Sequence, residues 1–225
     1  MNETNTLATP RVADLVTRLF SEATASNAKV RELFGAMTPE ERNRRMSDPS
    51  ADYRGFYGRA SELYLAVSEE TARLLYMLAR TGNARSIVEF GTSFGISTIH
   101  LAAALRDNGG GRLIGSELMP NKIEQARKNL DAAGLLDLCD IREGDALQSL
   151  ARDLPDQIDL VLMDGHKALY PKILDLLEGR LRKGACLVAD NAAASPDYLA
   201  RVRKAGGAYM SVEFEAAEVE VSIKV

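Results

Sequence analysis

Residues 86–97, Ser-Ile-Val-Glu-Phe-Gly-Thr-Ser-Phe-Gly-Ile-Ser, decide the fold. Ile87 and Val88 belong to a short apolar strand that runs through Glu89, Gly91 and Gly95 bracket a tight turn, and Ser97 to Leu105 reads as a helix start. A strand that passes through a glycine turn into a helix brings free backbone N–H groups and a helix N-terminus to one point, which can receive a carboxylate or phosphate. The spacing is not that of a dinucleotide site. In Gly-x-Gly-x-x-Gly the second glycine stands where a pyrophosphate touches the backbone, and here that position is Ser93.

The turn reads Glu-x-Gly-x-x-x-Gly. The acid Glu89 repels a pyrophosphate but suits the sulfonium and ammonium of S-adenosylmethionine. Taken alone, this stretch also fits a strand-to-helix turn without a ligand. The next strand, Gly111-Arg-Leu-Ile-Gly-Ser-Glu117, argues against that, because Glu117 falls where the second strand of a doubly wound sheet ends beside the first and can accept both hydroxyls of a ribose.

Working outward, strands and helices alternate: strand 86–90, helix 97–106, strand 112–116, helix 120–133, strand 138–142, helix 146–152, strand 158–163, helix 170–179, strand 184–189 and helix 196–204. The tail holds two runs, from Tyr209 and from Ala217, close enough to form an antiparallel hairpin. The fold class is therefore α/β, a Rossmann-like, mostly parallel doubly wound sheet with a C-terminal hairpin. Ser68-Glu-Glu-Thr caps the helix before the first strand.

Residues 9–35 carry Val12, Leu15, Val16, Leu19 and Phe20 at helical spacing, an amphipathic arm that either packs on its own domain or pairs two copies as a homodimer. Pro39, Asn43, Asp48 and Pro49 interrupt the segment 36–60, a loop or short helix with Tyr53, Phe56 and Tyr57. These aromatics either cover a substrate or anchor the arm. The organisation expected is an N-terminal helical arm and substrate-side segment over 1–66 and an S-adenosylmethionine-binding α/β domain over 67–225.

The chain of 225 residues is 46% hydrophobic and 27% charged with net charge −4, enough for one well-packed domain plus an additional segment. It shows no basic stripe for nucleic acid, no apolar run long enough for a bilayer, and a polar Met-Asn-Glu-Thr-Asn opening unlike a secretion signal. The expectation is a cytoplasmic protein acting on a small molecule, with neither nucleic acid nor membrane as partner. Cys139 and Cys186 lack metal-ligand spacing and read as reduced thiols.

Two more strand ends carry unusual residues: Asp164-Gly-His-Lys167 and Asp190-Asn191. Asp164, Asp190 and Asn191 are a hard-oxygen set suited to Mg2+, with Lys167 beside whatever the cation holds. The other reading has Asp164 take the cofactor's ammonium while Asp190-Asn191 caps a turn.

Val-Glu-Phe-Gly-Thr-Ser-Phe-Gly-Ile-Ser at 88–97, Glu117 with Met119-Pro120, Glu143-Gly-Asp-Ala, Asp164-Gly-His-Lys with Tyr170-Pro171, and Ala189-Asp-Asn together resemble the metal-dependent O-methyltransferases of the catechol and caffeoyl-CoA type. The resemblance runs from about Val67 to Val225. It implies seven strands with the last reversed, S-adenosylmethionine as methyl donor, and Mg2+ or another divalent metal. Carried over, Glu117 takes the ribose, Gly91 and Ser97 the methionine end, Val67 the cofactor's edge, and Asp145 with Ala146 the adenine. Asp164, Asp190 and Asn191 become the metal ligands, Lys167 the general base, and Glu220 the acid touching a second hydroxyl of a catechol-like substrate, with Glu218 two residues away on the same strand face.

This chain departs from the pattern in having no Trp to clamp a ring, Gly165 and His166 between ligand and lysine, a short segment after Asn191, and an arm that matches only loosely. A different pocket is expected. His166 reads as wall or solvent-facing as readily as catalytic, and His100 as a packed or surface histidine. A metal-independent methyltransferase on another nucleophile, and a non-catalytic S-adenosylmethionine-binding protein, are the alternatives.

Overall fold

The computed structural model describes residues 5–35, 37–48 and 50–225. The polar opening at 1–4 and the interrupting Pro49 lie outside the described residues. In chain order the elements are α1 (Pro10–Phe34), α2 (Pro39–Ser47), α3 (Tyr53–Arg59), α4 (Glu69–Thr81), β1 (Ser86–Phe90), α5 (Ile96–Asp107), β2 (Arg112–Glu117) and α6 (Pro120–Ala133). They continue with β3 (Cys139–Glu143), the single turn α7 (Ala146–Ser149), β4 (Ile158–Met163), α8 (Tyr170–Leu177), β5 (Leu181–Asp190), α9 (Pro196–Val202), β6 (Tyr209–Phe214) and β7 (Val219–Lys224).

The sheet order is β3-β2-β1-β4-β5-β7-β6, parallel except that β7 runs antiparallel to both β5 and β6. Chain order reverses between β1 and β4, so the crevice at their carboxyl ends is the switch point where doubly wound sheets bind ligands. The two strand ends touch there. Asp164 N donates to Phe90 O at 2.8 Å, and a Cβ on Gly91 would stand 2.6 Å from Asp164 O. With φ at 103°, position 91 suits glycine on both counts.

The two sheet faces have separate cores. Ile87, Leu113 and Leu160 face Leu75, Ile99 and Leu105, while Val88, Ile114 and Val161 face Tyr170, Ile173 and Leu177. Val12, Leu15 and Leu19 of α1 are buried in the first core, so that part of the arm's apolar stripe packs on its own domain. Arg11 adds a bond from Nη2 to Asp131 O at 2.7 Å. His100 is buried, with Nδ1 2.8 Å from Ile96 O. Ser68 caps α4 as expected, its hydroxyl accepting from Thr71 N at 3.0 Å.

The expected helix 146–152 stops at Ser149, and the chain beyond it bends through Asp153 at φ 48°. The strand expected at 184–189 begins earlier, at Leu181, because the β4–β5 register shifts between Ile158 and Leu160 and so accommodates the additional residues. Cys139 and Cys186 are free, and burial raises both thiols, Cys186 to about 11. Among the described residues, no helix is long and apolar enough to cross a membrane.

Candidate active site

The glycine turn after β1 is held from below by Glu89. Its carboxylate is fully buried and accepts from Thr92 Oγ1 at 2.9 Å, Ser97 Oγ at 2.7 Å and Thr98 Oγ1 at 2.6 Å. Burial raises its pKa, and the three hydroxyls act against that rise. Glu89 and Ser97, both expected at the cofactor, are tied to one another under the turn and do not line the cavity. Glu89 builds the loop that a ligand would meet.

Above the turn lies a narrow cavity lined by Gly91, Ser93, Glu117, Asp145, Ala146 and Gly165 among others. Glu117 ends β2 and accepts from the backbone N–H groups of Ser93, Leu118 and Met119 at 2.7, 2.8 and 2.9 Å. A carboxylate offers about four acceptor positions, so the loop uses most of them and leaves room for one further donor. Asp145 caps α7 through Leu147 N at 2.9 Å and also accepts from Tyr53 Oη and Arg54 Nη2, each at 2.7 Å. Tyr53 and Arg54 belong to α3, so the arm reaches across the chamber to the residue expected at the adenine. Val67 is buried but does not line the chamber; Leu65 does.

Two polar side chains in this chamber lie outside the expected site. His166 is 4% exposed, its ring stacks on Tyr53 at 5.2 Å, and among the described residues neither ring nitrogen has a hydrogen-bond partner. Burial lowers its pKa, so it stands neutral, with the Asp48 carbonyl acting on it from outside hydrogen-bond geometry. Lys122, in the first turn of α6, is 2% exposed with its ammonium over the Phe94 ring at 5.2 Å. One signal for Lys122 is present in the sequence, since a lysine is electrostatically misplaced at a helix N-terminus. His166 carries no such signal.

A second, open cleft shares Tyr57, Leu65, Asp164 and Gly165 with the chamber. Asp164, Lys167, Asp190 and Asn191 converge on it from the ends of β4 and β5. Lys167 Nζ lies 3.1 Å from Asp164 Oδ1, 3.8 Å from Asp190 Oδ2 and 2.8 Å from Tyr170 Oη, which donates on to the Met163 and Asp190 carbonyls. Burial drives both carboxyls up, Asp164 strongly, against the pull of the ammonium. Burial also pulls Lys167 down, but the two carboxylates outweigh it and hold the ammonium above its ordinary value.

The lysine was expected beside whatever a cation holds; in the structure its own charge sits between the two carboxylates. Among the described residues no three His, Cys, Asp or Glu side chains form a metal-binding group, so any such set here depends on the Asn191 amide oxygen. Asn191, at φ 47°, donates Nδ2 to Glu218 Oε2 at 3.0 Å, which leaves its oxygen free as a donor atom to a cation. Two carboxylates already bracketing a positive charge, with a free amide oxygen beside them, fit a hard divalent ion.

Glu220, expected at a second substrate hydroxyl, lines the open cleft but is engaged from within the hairpin. It is 1% exposed, and Arg203 donates to both of its oxygens, from Nε at 2.8 Å and Nη2 at 2.5 Å, with Ser211 Oγ as a third donor. A carboxylate so engaged locks the hairpin and has little left for a substrate. Glu218 does not share its strand face. It precedes β7 at φ 53°, is exposed, and its side chain holds Asn191.

The comparisons agree with this architecture. The methyltransferase-domain family profile matches residues 88–192. Catechol O-methyltransferase of Niastella koreensis is 36% identical over 56% of this chain and 58% of its own length. Catechol O-methyltransferase of Mycobacterium tuberculosis is 35% identical over 56% and 57%, so the chain spans somewhat under three fifths of these two curated relatives. Among solved structures, a cofactor-bound protein from MTB is 25% identical with a TM-score of 0.63, over 79% of this chain and 93% of that one. The O-methyltransferase TomG of Streptomyces achromogenes, solved in complex with SAM, shares the fold at 24% identity and TM-score 0.64, over 88% and 96%. Residues 88–192 carry a methyltransferase domain, and the chain is similar to the catechol and caffeoyl-CoA O-methyltransferases.

Proposed function

We propose that this chain transfers a methyl group from S-adenosylmethionine to a hydroxyl of a small catechol-like molecule, with a divalent cation such as Mg2+ held by Asp164, Asp190 and Asn191. The observation that carries the reading is the shared wall. The glycine-turn chamber and the open cleft meet at Asp164 and Gly165, with Lys167 and both carboxylates facing the cleft side. Two reactants seated in adjoining cavities need little more than positioning to react. The names of the catechol O-methyltransferase relatives support the substrate class.

When bound, the cofactor supplies the methyl group and the divalent ion a fixed charge that lowers a hydroxyl pKa. The chain's own residues do the rest. Glu117, Asp145 and the orphaned ring of His166 orient the nucleoside, and Tyr53 and Tyr57 exclude water above it. Lys167 Nζ would take up the proton of a substrate hydroxyl held in the cleft. Asp164 and Asp190 hold its ammonium above the ordinary value, and a divalent ion bound by the same carboxylates would oppose that.

That same ion pairing favours a second reading, a metal-independent transfer in which the Lys167 ammonium supplies the positive charge. The deciding experiment measures S-adenosylhomocysteine release over a panel of catechols with Mg2+ and with a chelator. Turnover abolished by the chelator supports the metal site. Turnover that survives it supports the second reading, and no turnover on any catechol overturns the substrate class.

A further inference from the structure

Lys122 is a buried cation without a counter-ion. It is 2% exposed, and among the described residues no carboxylate oxygen lies within 4.0 Å of its ammonium. Its polar contact is a long one, 3.4 Å to Ser93 Oγ. Of the three acids that line the chamber with it, Glu117 is engaged by the N–H groups of Ser93, Leu118 and Met119, Asp145 by Tyr53 and Arg54, and Asp164 by Lys167. The location adds to the cost, since the first turn of α6 presents the positive end of the helix dipole to a positive side chain. Burial pulls the Lys122 ammonium below its ordinary range, outweighing the more distant attraction of Glu117, Asp164 and Glu62. A charge held this far from water without a partner is expensive, and a ligand anion in the same cavity would relieve it.

We infer that Lys122 binds the carboxylate of the cofactor's methionine moiety. The inference rests on the proposed cofactor and deepens it. S-adenosylmethionine has one anionic group, the carboxylate, and two cationic ones. The cations suit the Asp164 side of the cavity; the carboxylate suits the side where Lys122 and Ser93 stand together next to the glycine turn. The Phe94 ring under the ammonium keeps that corner apolar, so the ion pair would form largely out of water.

The test compares equilibrium binding of S-adenosylmethionine and its decarboxylated analogue, which differ only in that carboxylate, to the full chain, to Lys122→Met and to Lys122→Arg. Wild type should prefer S-adenosylmethionine by about tenfold to a hundredfold, the range of a charge-assisted bond. Lys122→Met should reduce the ratio to near one by losing only S-adenosylmethionine, Lys122→Arg should keep a preference, and a thermal melt of ligand-free Lys122→Met should show it no less stable than wild type. A wild-type ratio of one, or a Lys122→Met variant that weakens both ligands equally, overturns the assignment while leaving the cofactor reading in place. Wild type that binds neither ligand overturns that reading and this inference with it.

Discussion

Replacing Arg203 with leucine separates an acid that holds the hairpin from one that works in the cleft. Arg203 Nε and Nη2 grip the two oxygens of Glu220, which is 1% exposed, at 2.8 and 2.5 Å. Without the guanidinium the carboxylate keeps only the Ser211 hydroxyl. Breaking a buried pair from one side costs about 3–5 kcal/mol. The Arg203 side chain is 42% exposed, so water can enter the gap, and we expect about 2–3 kcal/mol. At about 2–4 °C per kcal/mol for a chain of this size, Arg203→Leu should melt roughly 5–10 °C below wild type at neutral pH.

The sign of the pH dependence follows from the same pair. Burial alone would raise the Glu220 carboxyl, but the bonds from Arg203 and Ser211 more than reverse it and hold it below its ordinary range. A folded pKa below the unfolded one gives stability that is present above the unfolded value, about 4.3, and is lost as pH falls through the folded value. The gap between wild type and Arg203→Leu should therefore be full at neutral pH and close on acidification. Circular dichroism melts at several pH values, beside turnover of Glu220→Gln and Glu218→Gln, test this. If Arg203→Leu melts with wild type, or if Glu220→Gln keeps the wild-type melting temperature yet loses turnover, Glu220 acts on substrate and the reasoning fails.

Lys167→Met should abolish turnover while leaving S-adenosylmethionine affinity within about threefold, because Lys167 lies on the cleft side and does not line the chamber. The same variant leaves Asp164 and Asp190 facing one another without their ammonium, so it should melt lower than wild type and gain more from added Mg2+. Tyr53→Phe removes one bond to Asp145 and leaves the one from Arg54; S-adenosylmethionine affinity should fall about fivefold in a titration, for a loss of about 1 kcal/mol. Gly91→Ala puts a methyl 2.6 Å from Asp164 O at a φ of 103°, and should cost at least about 2 kcal/mol in stability and most cofactor binding.

The features that could be read from the chain alone are those set by backbone periodicity. A run such as Ile87-Val88 before a glycine turn places a strand end, and in a parallel sheet all such ends open on one crevice, so Glu89, Glu117, Asp164 and Asp190 were expected there; Glu117 and Asp164 line the chamber, Asp164 and Asp190 line the adjoining cleft, and Glu89 turns beneath the glycine loop. What periodicity does not encode is which way a side chain turns at the strand end, or what neighbouring segments spend it on. Glu89 and Glu117 both end strands beside the same turn, but three local hydroxyls draw Glu89 inward while backbone N–H groups hold Glu117 at the chamber wall. Two-residue spacing made Glu218 and Glu220 equivalent on paper; a left-handed residue at 218 ended that equivalence by starting β7 one residue later. Arg203, from the end of α9, then completed the separation by claiming Glu220, a long-range pairing with no local signature. The consequence reaches the site. With Glu220 locked, the acid that touches a donor of the cation set is Glu218, which orients Asn191, so Glu218→Gln should weaken Mg2+ dependence without moving the melting temperature.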